Sequence, residues 1–107
     1  RWPWLRAIRA HMETEHAARR SGIIACSALK ESYRDLLGRG EPWVRFVHLS
    51  GSRNLIEDRM RAREGHFMPV SLLDSQFATL ESPDDAITLD ISRPPEALVD
   101  EVLRRIA

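Results

Sequence analysis

The stretch Ile23-Ile24-Ala25-Cys26-Ser27-Ala28-Leu29-Lys30-Glu31-Ser32-Tyr33-Arg34-Asp35-Leu36-Leu37 constrains the fold more than any other part of the chain. A short apolar run, Ile23–Cys26, closes in small residues. A helical pattern from Leu29 to about Gly38 opens behind it and carries Lys30, Tyr33 and Arg34 in its first turns. A buried parallel strand delivers polar side chains to a crevice at its carboxyl end in this way. The pattern then recurs. Val44 to Leu49 is rich in β-branched and apolar residues, and Ser50-Gly51-Ser52 breaks it and can cap a helix from Asn54 to about Arg63. Ile87 to Ile91 reads as a third strand, and Pro94 opens a last amphipathic helix with Ala97, Leu98, Val102 and Ile106 on its apolar face. Strand and helix alternate, which argues for an α/β fold with a parallel sheet.

Two further helices complete the pattern. Pro3 enters the first, whose apolar spacing runs through Trp4, Ile8, Met12 and Glu15, widened by Leu5, with a stop expected at Ser21-Gly22. Another runs from about Val70 to Leu80 with Leu72, Leu73, Gln76 and Phe77. The 107 residues suit a single domain, and a 43 % hydrophobic fraction allows a core. Sixteen basic and sixteen acidic residues cancel, so no global field favours nucleic acid or an anionic membrane. No apolar stretch approaches transmembrane length. The one cysteine, Cys26, excludes an internal disulfide, fits a reducing, cytoplasmic setting and is expected as a packing residue. The chain begins Arg1-Trp2-Pro3-Trp4 without Met, which reads as a fragment or a processed product.

Functional groups are expected where strands end: Ser27 to Lys30, Ser50 to Arg53, and Asp90 to Pro94. Lys30 and Arg34 lie one helical turn apart, and two cations on one face suit a carboxylate or a phosphate. The same spacing fits a solvated charged face on which Arg34 pairs with Glu31 or Asp35. Arg59 and Arg63 share a helical face, Arg61 points away, and Gly65-His66-Phe67 follow. A cationic helix end running into such a segment is what a phosphoryl-transfer lid requires, and it equally describes an ordinary basic surface helix. His66 has general-base chemistry, but no carboxylate or cysteine cluster stands at metal-ligand spacing, so no metal ligand is assigned. Asp90-Ile91-Ser92-Arg93-Pro94-Pro95 places a proline beside a strand end, either against a bound base or simply as a helix starter.

Taken in order, these segments resemble the carboxyl-terminal two thirds of the gluconokinases, small P-loop kinases. The resemblance rests on Pro3-Trp4-Leu5, on Cys26-Ser27-Ala28-Leu29-Lys30 with Tyr33-Arg34-Asp35 and Leu37, and on Arg59, Ala62-Arg63 and Gly65-His66-Phe67. It continues through Ser75-Gln76-Phe77, Thr79-Leu80-Glu81 and Pro83 to Asp90-Ile91 with Pro94. It implies ATP- and magnesium-dependent phosphorylation of the 6-hydroxyl of D-gluconate in the cytoplasm, with no nucleic-acid or membrane partner; a homodimer is open to the full-length parent. By the resemblance, Ser27, Lys30, Tyr33 and Arg34 would sit near gluconate, Arg59 and Pro94 would flank the adenine, and Arg63, Arg61 and His66 would act at the phosphates within a lid of about residues 59–69. Glu64 departs from relatives that carry a basic residue there.

The family's Gly-x-x-Gly-x-Gly-Lys-Ser/Thr loop, which cradles phosphates on backbone N–H groups, does not occur in these residues, whose glycines stand at 22, 38, 40, 51 and 65. Residues 1–107 therefore read as a single truncated kinase domain: a partial three-layer α/β/α P-loop fold lacking the phosphate-loop strand, with ATP and Mg2+ held largely by the absent part. In the family that strand is central in a sheet of order 2-3-1-4-5. Without it, the run at Ile23–Cys26 is expected either to pair directly with Val44–Leu49 or to stay loose, and the fragment alone to be inactive. The competing readings are another small P-loop kinase, such as a shikimate kinase, and a non-catalytic decayed module that uses Arg59 to Arg63 to hold an anionic partner.

Overall fold

The computed structural model describes residues 1–63, 69 and 71–107. The elements are α1 (Trp2–Ala17), α2 (Glu31–Leu36), β1 (Val47–Ser50), α3 (Arg53–Ala62), α4 (Ser71–Thr79), β2 (Ile87–Asp90) and α5 (Pro95–Ile106). They fall into two compact units, Arg1–Arg45 and Phe46–Ala107.

In the first unit α1 starts at a proline in its first turn and buries Leu5 and Ile8. Tyr33 and Leu37 are the other buried apolar side chains of this unit. The expected apolar stripe is therefore turned: Leu5 leads it, and Trp4 is 67 % exposed. The edge of Trp2 meets the Tyr33 ring at 5.2 Å and 81°. Farther along α1, the Arg9 guanidinium donates to both carboxylate oxygens of Glu41, at 2.9 and 3.0 Å, and to Glu13 at 2.6 Å. Arg9 also lies over the Trp43 ring, on which His16 stacks at 4.1 Å. Together these contacts tie α1 to the turn that follows α2.

The end of α1 falls short of the expected stop at Ser21-Gly22. The Arg19 N–H donates to the His16 carbonyl and the Arg20 N–H to the Glu15 carbonyl, with Arg19 at φ +59°. That paired arrangement closes a helix with one left-handed residue and satisfies its last carbonyls. The same motif ends α2, where the Gly38 N–H donates to the Asp35 carbonyl, the Arg39 N–H to the Arg34 carbonyl, and Gly38 takes φ +110°.

Ile23–Cys26 is not a strand. Ile23 is wholly exposed, Ile24 is 44 % exposed, and Cys26 is exposed rather than packed. A strand exists through its ladder, and among the described residues the sheet consists of β1 and β2 alone. The direct pairing of Ile23–Cys26 with the second strand therefore does not form.

In the second unit β1 and β2 run parallel in the register Val47↔Ile87 to Ser50↔Asp90. Both strands are displaced or shortened by up to three residues relative to the apolar runs that announce them. Ile87 and Leu89 are buried, as is Leu73 of α4. Val47 and Leu49, their register partners, stay 40 % and 59 % exposed. The apolar face of the sheet is thus covered over β2 and open over β1. Because the register ends both strands together, the turns Ser50–Ser52 and Asp90–Pro94 emerge side by side. Gly51 is required by this closeness: a Cβ there would lie 2.6 Å from Cγ1 of Ile91. Ser52 caps α3, its Oγ accepting the Leu55 N–H at 3.1 Å, and Pro94 stands at the N-cap of α5.

Candidate functional site

In the first unit the candidate residues sit on the loop 27–30 and the short helix behind it. Lys30 is the N-cap of α2, in extended backbone, and its carbonyl accepts the N–H groups of Tyr33 and Arg34. Ser27 and Lys30 are exposed, whereas Tyr33 and Arg34 are buried, at 8 % and 5 % exposure. Lys30 Nζ lies 6.0 Å from the centre of the Tyr33 ring, and the Tyr33 hydroxyl accepts a hydrogen bond from Arg1. Arg34 Nη1 donates to the Ala28 carbonyl at 2.8 Å.

Arg34 and Lys30 are therefore not twin cations on one face. One points into the unit and holds backbone, and the other stands at the surface. The carboxylates of Glu31 and Asp35 meet Arg39, at 2.7 and 2.5 Å. The i,i+4 spacing of Asp35 and Arg39 was the available signal for that pairing. Ala28 carries no such signal. It holds φ +37°, a left-handed conformation unusual for a residue with a Cβ, and its role shows only in three dimensions.

In the second unit the basic residues of α3 divide into two sets. Arg53 pairs with Glu57 and with Asp74 of α4, and Arg61 donates to Glu57 at 2.6 and 3.1 Å. The Arg61 contact, followed by that of Arg53, holds the Glu57 carboxyl below its ordinary pKa, and Arg53 does the same for Asp74. The two carboxylates in turn raise the Arg53 pKa. Arg59 and Arg63, by contrast, are exposed and have no carboxylate partner among the described residues. Arg63 does not continue the face of Arg59: the helix ends at Ala62, and Arg63 is its C-cap in extended backbone, φ −84° and ψ 113°. His66, with the rest of Gly65-His66-Phe67 and Glu64, lies outside the described residues.

At the strand ends, the Asp90 carboxylate accepts the Ser92 N–H at 2.9 Å, which lowers its pKa and fixes the turn leading to Pro94. Pro94 is exposed. Arg93 donates to Glu101 at 2.5 Å, fastening that turn to α5.

These groups can bind anions. Ser27 and Lys30 offer a hydroxyl and an ammonium, and Arg59 and Arg63 offer two guanidinium groups without a carboxylate partner among the described residues. Among the described residues no group of three or more His, Cys, Asp or Glu side chains could hold a metal ion. No described helix is long and apolar enough to cross a membrane.

No family model matches the chain. Individual proteins do. The chain is 38 % identical over 110 residues to the thermoresistant gluconokinase of Escherichia coli K12, covering 99 % of the chain and 63 % of that protein. It is 39 % identical over 107 residues to a gluconokinase of Gluconobacter oxydans, covering 97 % of the chain and 60 % of the relative. Among solved structures, an unliganded sugar kinase from Janibacter sp. HTCC2649 superposes with a TM-score of 0.87 at 52 % identity, covering 97 % of this chain and 62 % of that one. A gluconokinase from Sinorhizobium meliloti 1021 gives 0.81 at 41 %, covering 99 % and 61 %. The chain spans about three fifths of the length of the curated relatives it matches. The mixed α/β chain with its small parallel sheet superposes on part of each of these kinases. Sequence and fold together identify the chain as a homologue of the gluconokinases, matched over nearly all of its own residues.

Proposed function

We propose that the protein, in its longest natural form, transfers the γ-phosphoryl group of ATP to the 6-hydroxyl of D-gluconate. The observation that carries this reading is the match to proteins named gluconokinase along 97 to 99 % of the chain. In this reading residues 1–107 make up one truncated domain. Ser27 and Lys30 meet the acidic, hydroxyl-rich substrate, with Tyr33 and Arg34 behind them. Arg59 and Pro94 receive the adenine. Arg63, within the lid of about residues 59–69, places positive charge on the transferring group, where charge spread over the phosphoryl oxygens rewards it most. Arg61 is the weaker choice for that task because Glu57 already holds it. His66 remains the general-base candidate. ATP and Mg2+ are then held largely by residues beyond these 107, since the phosphate-loop pattern is absent from them. Residues 1–107 alone would be inactive.

Phosphorus NMR of gluconate, ATP and magnesium incubated with the longest natural form tests this reading. The expected result is a new phosphomonoester signal with gluconate and none with shikimate, and none with either when residues 1–107 are used alone. Absence of transfer to gluconate by the longest form overturns it. Calorimetric binding of inorganic pyrophosphate, lost in the double variant R59A/R63A, would then favour an anion-binding module instead.

A further inference from the structure

The loop 27–30 carries two exposed polar side chains on strained backbone. Ala28 sits at φ +37°, a region where a Cβ crowds the backbone and which glycine enters far more readily. Such a conformation persists only where its surroundings over-determine it, and strain of this kind gathers at ligand sites. The restraint at this loop is specific: the buried Arg34 donates Nη1–H to the Ala28 carbonyl at 2.8 Å. Arg34 is itself fixed, since its own N–H is bonded to the Lys30 carbonyl and its carbonyl takes the Arg39 N–H at the helix end. The loop is therefore held at both flanks of Leu29, by the guanidinium at Ala28 and by the first turn of α2 at Lys30.

We infer that Arg34 is a positioning residue for the substrate. Its guanidinium clamps the left-handed Ala28 and so fixes where the Ser27 hydroxyl and the Lys30 ammonium meet an acidic polyol. Arg34 then acts through Ser27 and Lys30 and does not itself touch the sugar acid. The inference rests on the gluconate-kinase reading and deepens it, dividing the two expected cations into one that binds and one that aims. A binding group misplaced by about an ångström loses up to a hundredfold in rate or affinity. The clamp is thus a lever on gluconate and not on ATP.

The test compares wild type, R34M, R34K, A28G and R34M/A28G in the longest natural form, with KM for gluconate and for ATP measured separately. Removing the clamp in R34M raises KM for gluconate by about tenfold or more and leaves KM for ATP nearly unchanged. Relieving the strain with glycine brings the double variant part of the way back. A residue that touched the sugar acid directly would gain nothing from A28G. Equal KM values for R34M and R34M/A28G, or an equal rise in both substrates' KM, overturn the inference. Should R34M fail to fold, R34K replaces it: one ammonium reaching Ala28 gives a smaller rise, again relieved by A28G. Backbone NMR order parameters of residues 27–30 separate the two levels of the claim. If wild type transfers no phosphate to gluconate, the kinase reading fails on its own, and a fall in these order parameters confined to the Arg34 variants still establishes the clamp. Unchanged order parameters remove it.

Discussion

Arg19 and Gly38 occupy the same position beyond two helices, each the left-handed residue of the same carboxyl-terminal motif. They differ in what that position costs. A residue with a Cβ is disfavoured there by about 1–2 kcal/mol, partly offset by glycine's larger entropy loss on folding. Arg19→Gly is therefore expected to stabilise the first unit by about 1 kcal/mol, seen as a higher urea midpoint in far-UV circular dichroism. Gly38→Ala is expected to do the reverse and by more. Besides the backbone penalty, its Cβ would lie 2.8 Å from Arg9 Nη1 and 3.0 Å from both Glu41 and Val44, in the contacts that anchor α1. A loss of about 2–3 kcal/mol follows from adding overpacking to strain. An unchanged midpoint in either variant would show that the motif does not form. The pair also shows what a sequence reveals at this scale. The stop at Gly38 was legible because glycine is the usual left-handed residue. The stop at Arg19 was not, since nothing in Arg19-Arg20-Ser21-Gly22 marks the first arginine over the glycine three residues on. Ala28 escaped notice for the same reason.

At the scale of elements, Arg53 links α3 to α4 by charge. Arg53 reaches back from the first turn of α3 to Asp74 and along its own helix to Glu57, which Arg61 also grips. Both carboxyls have folded pKa values below the ordinary 4.5 and 3.8 because of these arginines. A depressed carboxyl stabilises the folded state above its unfolded pKa and loses that contribution as pH falls through the folded one. The clamp is thus expected to be intact from pH 7 to about 5 and to fade below about 4.5. In thermal melts followed at 222 nm, R53M should fall below wild type at pH 7 and approach it at pH 3. A gap of equal size at both pH values would mean that packing of the arginine stem, and not charge, joins the helices. Added salt should narrow the gap at pH 7, because the pairs are exposed and screened. Existence and type of α3, and its serine cap, were legible in Ser50-Gly51-Ser52 and the apolar spacing of Leu55, Ile56 and Met60. The sorting of its arginines was legible only in part. The i,i+4 spacing of Glu57 from Arg53 and Arg61 marked those pairs. Helical spacing also put Arg59 and Arg63 on one face, although the helix stops at Ala62. The contact of Arg53 with α4 falls on Asp74, 21 residues away in sequence. Arg34 shows the same limit: its spacing from Lys30 described two cations on one surface, and burial sent one of them inward.

Across the whole chain, alternating helices and strands announced an α/β fold, and the second and third apolar runs became β1 and β2. The first did not, although Ile23-Ile24 is as apolar as either, because a strand is made by its neighbours as much as by its own residues. The same reasoning governs the apolar surface. Ile87 and Leu89 are buried on β2, while Val47 and Leu49, beside them in register, are open to solvent. On α5, Val99, Leu103 and Ile106 are 57 %, 58 % and 44 % exposed at spacings of four and three residues, which line one face of a helix. Residues 1–107 prepared alone should therefore bind the dye 8-anilinonaphthalene-1-sulfonate at pH 7, since grouped apolar side chains, not single ones, hold it. The double variant L49T/L103Q should bind less dye at an almost unchanged urea midpoint, because exposed positions change stability by about 0.5 kcal/mol or less. Leu89→Ala should instead cost about 2–5 kcal/mol, as for other buried leucines. If L49T/L103Q cost as much as Leu89→Ala and the wild type bound no dye, these faces would be covered in solution.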